Sequence, residues 1–318
     1  MFHIRPQTLQ YWYKNHLSEY YADIDNNKWC SHKIKIEDKS SDAIKEKPVY
    51  VFKEENLGKN MSIDDKAIDH AGFTILSNSD TAKIALMVES TNAVEVENAM
   101  EQFGNKLNKI ENISMDMSPT YALVCNNLIP NAAQIIDKFH VMKYVYDAVL
   151  DVRSRTQKEI TTTLTKGRKK TQEDKKTLSE LEQIRRIRHA ITQSSDKWSE
   201  AMTITINQIF EQHCDIKIAY QISQNFKHWY DYKNHQNTRD EITKNLHEWY
   251  KQAMQLEEFN SVIKMIQKHE REIINFFKNG MTNAGAERLN GKMERFVSNN
   301  YGIKNKDFSL YRIANYFS

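Results

Sequence analysis

The stretch Ile113-Ser114-Met115-Asp116 is a short apolar run closed by an acid, and the residues after it decide the fold. Ser118-Pro119-Thr120-Tyr121 opens a helix-compatible segment that runs to Asn127, and a second apolar run extends from Ala132 to Ile136. Strand, helix and strand in so short a span form the unit from which α/β sheets are built. Earlier in the chain, Met61-Ser62-Ile63-Asp64 repeats the design, a strand end closed by an acid. Val49-Tyr50-Val51-Phe52 reads as another strand end. Gly72 to Leu76 and Ile84 to Val88 read as two strands joined by the turn Ser77-Asn78-Ser79-Asp80. Ala93, Val96, Ala99, Met100 and Phe103 recur at helical spacing, which predicts an amphipathic helix from Asn92 to Leu107.

Three strands, then helix, strand, helix and strand, is the order of a ribonuclease-H-like core. Strands one and four of such a core lie side by side, so Asp64 and Asp116 are expected to be presented together at strand ends. Beyond this core, strand character disappears. Val141, Val145, Ala148, Val149 and Val152 recur at helical spacing, and Trp198, Trp229 and Trp249 sit among further apolar stripes. Glu287 then appears in Thr282-Asn283-Ala284-Gly285-Ala286-Glu287-Arg288-Leu289-Asn290, which reads as a helix start. The expected class is therefore α/β, a ribonuclease-H-like core with a large all-α insertion between the second Asp and Glu287. The expected division is a helical arm and polar linker over 1–48, the first part of the core over 49–144, the insertion over 145–280 and the end of the core over 281–318. Two readings stand for the arm around Thr8 to Leu17: part of a helix-turn-helix, or a helix packing on the body through Leu9, Trp12 and Tyr13, the latter favoured because one helix cannot make the motif alone.

Composition narrows the function. Charged residues make up 27% of the 318, yet the net charge is only +3, a balance that permits nucleic acid as a partner without demanding it. The three cysteines, Cys30, Cys125 and Cys214, are far apart and form no CxxC pair, which argues against a disulfide framework or a zinc ribbon. With 8 Gly and 4 Pro the chain favours long helices over tight turns, and no GxGxxG or GxxxxGK[ST] motif is present. No apolar stretch approaches membrane-spanning length and no leader pattern opens the sequence, so a cytoplasmic protein without membrane contact is expected.

Two carboxylates at strand ends and a third on a late helix are what a chain needs to hold two divalent metals for phosphodiester chemistry. Such carboxylates stay ionised and offer oxygen ligands to Mg²⁺ or Mn²⁺. Brought together without metal, they would raise one another's pKa.

The same residues carry a resemblance. Asn56 to Asp65 resembles the first-aspartate block of DDE transposases from bacterial insertion sequences, in the ISL-three group. Ser114 to Tyr121 resembles the second block, and it continues into Leu128-Ile129-Pro130-Asn131-Ala132 and Ile136-Asp137-Lys138-Phe139-His140-Val141, similar to that group's D-[RK]-F-H-V run. Thr282 to Lys292, with Tyr301-Gly302-Ile303-Lys304-Asn305 after it, resembles the glutamate block and its basic-aromatic tail. The resemblance implies Asp64, Asp116 and Glu287 as catalytic metal ligands for two Mg²⁺ or Mn²⁺ ions. The group usually has Glu after the first Asp where this chain has Asp65; strand alternation, which turns Asp64 away from Ile63, favours Asp64 as the ligand. A complete N-terminal zinc or helix-turn-helix module, common in longer relatives, is not recognised, so a separate DNA-binding subunit is one expected source of end recognition.

Asp137 and His140 are supporting candidates with two readings. In one, His140 contacts a phosphate near the scissile bond and Asp137 orients it. In the other, Asp137 caps a helix and His140 is bonded in a packed junction. For DNA, Lys166, Arg168, Lys169 and Lys170 form a basic turn, and Arg288, Lys292, Arg295 and Lys304 lie close to Glu287 in sequence. Arg185, Arg186 and Arg188 read as a solvated face balanced by nearby acids. Trp198 either stacks on an unpaired base or belongs to the core, with the core favoured; Trp229 and Trp249 read as core.

The expected function is a DNA transposase that cuts double-stranded transposon ends and joins the freed 3′-hydroxyl to target DNA, acting as a homo-oligomer. The alternatives are a catalytically silent or host-retained DNA-binding relative, and a structure-specific nuclease on the same core.

Overall fold

The computed structural model describes residues 4–38, 43–164, 171–231, 237–279, 284–299 and 305–318; the side chain of Glu287 is not among those described. Seven strands form one mixed sheet: β1 (Lys33–Asp38), β2 (Ala43–Phe52), β3 (Asn60–Ile68), β4 (Ala71–Asn78), β5 (Lys83–Val88), β6 (Asn112–Met115) and β7 (Ala133–Ile136). Their order across the sheet is β1-β2-β5-β4-β3-β6-β7. β5, β4 and β3 pair antiparallel, whereas β3, β6 and β7 run parallel. Parallel neighbours need a crossover, and α3 (Ala93–Glu101) and α4 (Pro119–Leu128) supply it. Five strands in this order and sense, linked this way, make a ribonuclease-H-like core, to which β2 and β1 add a further antiparallel edge.

Local chemistry explains these elements. Asn92 caps α3 by accepting from Val94 N at 3.0 Å, and Pro119 opens α4 at the position where a missing N–H costs nothing. β3 and β4 are joined by two residues alone, Asp69 and His70, whose φ values of 48° and 64° give a hairpin turn of the tight, strand-twist-matching kind. After β4, Asn78 Oδ1 accepts from Asp80 N and Thr81 N, so the connection to β5 turns on a side chain that copies a backbone turn.

Two expectations are corrected. The polar stretch over 31–48 is not a linker: Lys33–Asp38 pairs with Ala43–Pro48 as β1 and β2. Among the described side chains there only Ile34 is fully buried, and charged residues fill most other positions of that pairing, as suits a sheet edge. Gln102 and Asn98 of the α3 region donate to the carbonyls of Lys33 and Lys35 and so tie this edge down. Second, Asp64 does not end its strand. β3 runs on to Ile68, because Asp65, Lys66, Ala67 and Ile68 keep pairing with Thr74, Phe73, Gly72 and Ala71.

The chain divides into two compact units, residues 1–137 with 281–318, and residues 138–280. In the first, α12 (Ala284–Asn299) and α13 (Lys306–Phe317) cover one sheet face: Leu289, Met293, Leu310, Ile313 and Phe317 pack with Phe73, Ile75, Ile84 and Met87. The N-terminal arm, with α1 (Pro6–Trp12) and α2 (Tyr20–Asp25), also belongs to this unit. It is anchored less by the residues expected than by Tyr20, which is buried against Phe308 and Tyr311; Leu9 and Trp12 are exposed, and of the expected three only Tyr13 meets Phe308.

The second unit is helical throughout its described residues. α5 (Lys138–Thr162) buries the expected stripe of Val141, Val145, Ala148, Val149 and Val152, and packs with α6 (Gln172–Arg186), α8 (Cys214–Trp229) and α10 (Asn260–Lys268). α7 (Glu200–Gln212), α9 (Arg239–Ala253) and α11 (Glu270–Asn279) complete it. Trp229 and Trp249 are buried as expected, each donating its indole N–H to a backbone carbonyl. Arg155 on α5 binds Glu258 at 2.6 Å and Asp215 at 2.9 Å, pinning distant segments together. No helix among the described residues is long and apolar enough to cross a membrane.

Candidate metal-binding site

The parallel ladder between β3 and β6 ends with Ile63 opposite Met115, and that between β6 and β7 ends with Met115 opposite Ile136. The next residue on each strand is an aspartate, so Asp64, Asp116 and Asp137 stand in one row across the parallel part of the sheet. Asp137 is buried, and its backbone N–H donates to Met115 O at 2.9 Å, which extends the row's regularity by one bond. Among the described residues no three His, Cys, Asp or Glu side chains gather closely enough to hold a metal ion. Asp137 thus does not complete a ligand set with the other two.

Pairing decides which acid of the Asp64-Asp65 pair faces which way. Asp64 lies opposite Ile75 and Lys66 opposite Phe73, the residues that pack under α12. Asp65 lies opposite Thr74, on the other face, where Thr74 meets the Tyr121 hydroxyl at 3.1 Å. Thr74 gives its own proton to Ser90 O, so Tyr121 is the donor. Burial, above all, and also the charges of Asp65, Asp116 and Asp64 push the Tyr121 phenol up. All three carboxylates are therefore close enough to be felt at one point on α4.

On the α12 face, Asp64 is held at both oxygens. Oδ1 accepts from Asp65 N at 2.9 Å and Oδ2 accepts from Asn290 Nδ2 at 2.9 Å. Two residues further along β3, Lys66 pairs with Glu294, which draws the Glu294 carboxyl below its ordinary value. A helix rises about 6 Å over four residues and a strand about 6.6 Å over two, so the two contacts are in register. α12 thus runs alongside β3 in the same direction. At its start Gly285 comes so close to the β4–β5 connection that an added Cβ would lie 2.1 Å from Ser79 O; only a residue without a side chain fits. Glu287 falls on this helix between those contacts, one turn before Asn290. Asp116 Oδ1 accepts from Ser118 N at 2.8 Å, a bond that shapes the turn into α4.

These donors suit a hard cation. Asp64 and Asp116 supply carboxylate oxygens, the ligand type that such a cation takes.

The other candidates fall as follows. His140 lies one turn into α5, in the helical unit, with its ring edge-on to Phe139 at 5.8 Å. Arg288, Lys292 and Arg295 are exposed and share one stripe of α12, but helical geometry sets that stripe on the far side from Asn290. Lys166, Arg168, Lys169, Lys170 and Lys304 lie outside the described residues. Trp198 is half-buried, donates its indole N–H to Ala190 O at 2.8 Å and packs with Tyr220 and Phe210, which are half-buried too. Arg185, Arg186 and Arg188 are exposed, and Arg186 pairs with Glu182. Asn290 went unremarked in the sequence; its spacing of three from Glu287 was the available sign.

A family model described as Transposase, of the DDE class in the ISL-three group, matches residues 61–313. No curated protein and no solved structure matches the chain.

Proposed function

Because the chain belongs to the DDE transposase family of the ISL-three group, we propose that it cuts DNA at transposon ends and joins the freed 3′-hydroxyl to target DNA. Asp64, Asp116 and Glu287 hold the divalent ions that this family generally uses, as Mg²⁺ or Mn²⁺. Bound there, such ions lower the pKa of a water or 3′-hydroxyl and steady the leaving oxygen.

The protein's own residues prepare that chemistry. Asp64 and Asp116 face the same edge of the sheet as ionised oxygen donors, and the stiffness of paired strands keeps them from moving apart. Glu287 brings the third carboxylate on a helix rather than a strand. The exposed stripe of Arg288, Lys292 and Arg295, on the outer side of that helix, binds DNA phosphates away from the scissile one. Lys166, Arg168, Lys169, Lys170 and Lys304 add sequence-independent affinity, and His140, oriented by Asp137, holds a neighbouring phosphate. In-line displacement by water and then by the 3′-hydroxyl needs neither a covalent enzyme intermediate nor a nucleotide. Pairing two ends requires more than one copy, so the working form is a homo-oligomer, with a separate DNA-binding subunit as a further source of end recognition.

The observation that most supports this reading is the hydrogen bond from Asn290 to Asp64, which ties the helix of Glu287 to the strand of the first aspartate. Strand cleavage and joining on DNA carrying the element's flanking ends, with Mg²⁺ or Mn²⁺, tests it. Wild type is expected to do both and Asp116→Asn neither. Wild type that binds the ends without cutting them would instead indicate a silent DNA-binding relative, and cutting without joining a nuclease.

A further inference from the structure

Asn290 reaches Asp64 by a side-chain contact that spans 226 residues of sequence. It contributes no charge and is no metal ligand in the expected set, yet its carboxamide nitrogen donates to Oδ2 of Asp64. The opposite oxygen, Oδ1, is taken by Asp65 N–H at 2.9 Å. With both oxygens bonded, rotation about the Cβ–Cγ bond of Asp64 is stopped and the carboxylate plane is set before any cation arrives. A carboxylate without such bonds would have to be ordered by the metal itself, at the expense of affinity.

The same bond acts on the helix. Asn290, Glu287 and Glu294 fall at positions i, i−3 and i+4, one stripe of α12. Asn290 to Asp64 and Glu294 to Lys66 are two rungs between this stripe and the alternate residues of β3. Two rungs in register fix both the slide and the roll of the helix, and Gly285 seated against Ser79 fixes its start. Glu287 lies between the glycine contact and the first rung, so its backbone is positioned by contacts on either side.

We propose that Asn290 is a positioning residue: its carboxamide sets the plane of Asp64 and the register of α12, coupling the first carboxylate of the metal site to the third. This rests on the reading of Asp64 and Glu287 as metal ligands. Asn290→Ala removes both effects, whereas Asn290→Gln keeps a carboxamide on a longer stem and restores part of them.

The experiment is Mn²⁺ binding to the full chain without DNA, followed by calorimetry, together with the Mg²⁺ dependence of end cleavage. Wild type, Asn290→Ala, Asn290→Gln and Asp64→Asn are compared, with circular dichroism and melting to verify folding. Loss of such a supporting contact typically weakens metal affinity about 10-fold to 100-fold, and Asn290→Ala is expected in that range, with Asn290→Gln between it and wild type. The Mg²⁺ concentration for half-maximal cleavage should rise in step, while the rate at saturating Mg²⁺ changes less. Equal Mn²⁺ affinity in wild type and folded Asn290→Ala would overturn the proposal. A fall in saturated rate with unchanged metal dependence would also overturn it. If Asp64→Asn binds Mn²⁺ as well as wild type does, the assignment of the metal site itself fails, an outcome distinct from either.

Discussion

An arginine-centred cluster in the helical unit and two aspartates in the sheet unit hold their carboxylates differently, although ion pairs occur in both units. In the helical unit carboxylates are consumed internally: Asp215 and Glu258 grip the Arg155 guanidinium, and Glu180 meets His213 at 2.7 Å. In the sheet unit N–H groups of Asn290, Asp65 and Ser118 donate to the carboxylates of Asp64 and Asp116. A carboxylate satisfied by a guanidinium has its charge committed to structure. A hydrogen bond from an amide group orients a carboxylate and adds no opposing charge.

The sharpest way to break this contrast is to neutralise one acid in each unit. Asp64→Asn should lower end cleavage by on the order of 10²–10³-fold or more, the scale of losing one group that stabilises the transition state, with little change in melting. Asp215→Asn should leave the chemistry intact and cost at most about 1 kcal/mol, since its side chain is 47% exposed. A loss of cleavage in Asp215→Asn matching that in Asp64→Asn would dissolve the distinction. Next in size is the aromatic core of the helical unit, where Phe226 packs at a tilt against Trp249, 4.5 Å between ring centres. Phe226→Ala should destabilise by about 3–5 kcal/mol in chemical denaturation, and unfolding followed at the tryptophans reports this unit.

Gly285→Ala addresses the sheet unit from its packing side. Its new Cβ must push α12 off Ser79, at about 1–3 kcal/mol of stability. Cleavage should fall about 100-fold if a shift near 1 Å reaches Glu287; unchanged cleavage would show that α12 tolerates movement. The smallest effect concerns pH. Burial, opposed by Glu272 and aided by Lys268, pulls His269 below its ordinary 6.5. A base whose folded pKa is depressed gives its full stability above the unfolded value and loses it as pH falls through the folded one. Melting should therefore drop as pH falls below the ordinary histidine value of 6.5, and His269→Gln should flatten that drop.

Much of the sheet was legible because its signals were local. Asp116, the Ser118-Pro119 helix start and the run to Ile136 each declare themselves within a few residues, and so does the Val141 stripe. β1 escaped notice because an edge strand with one buried apolar residue looks like a polar connector. The continuation of β3 past Asp64 was hidden for a related reason. Asp65 and Lys66 read as the end of a strand, yet Asp65 faces the side of α4 and Lys66 is satisfied by Glu294 on α12. At the site, the acids could be named singly, but their assembly depends on Asn290 and Gly285, whose partners are two hundred residues away. No periodicity reports such contacts; they exist only once the sheet has formed.

The split of the sheet unit around residues 138–280 has a consequence for how the protein is made. A growing chain emerges from its N-terminal side, so all seven strands and then the whole helical unit are synthesised before α12 and α13. Until then Phe73, Ile75, Ile84 and Met87 have no cover, and Tyr20 lacks Phe308 and Tyr311. The nascent protein therefore carries a sticky sheet face while the whole helical unit is being made, and only the last two helices seal it.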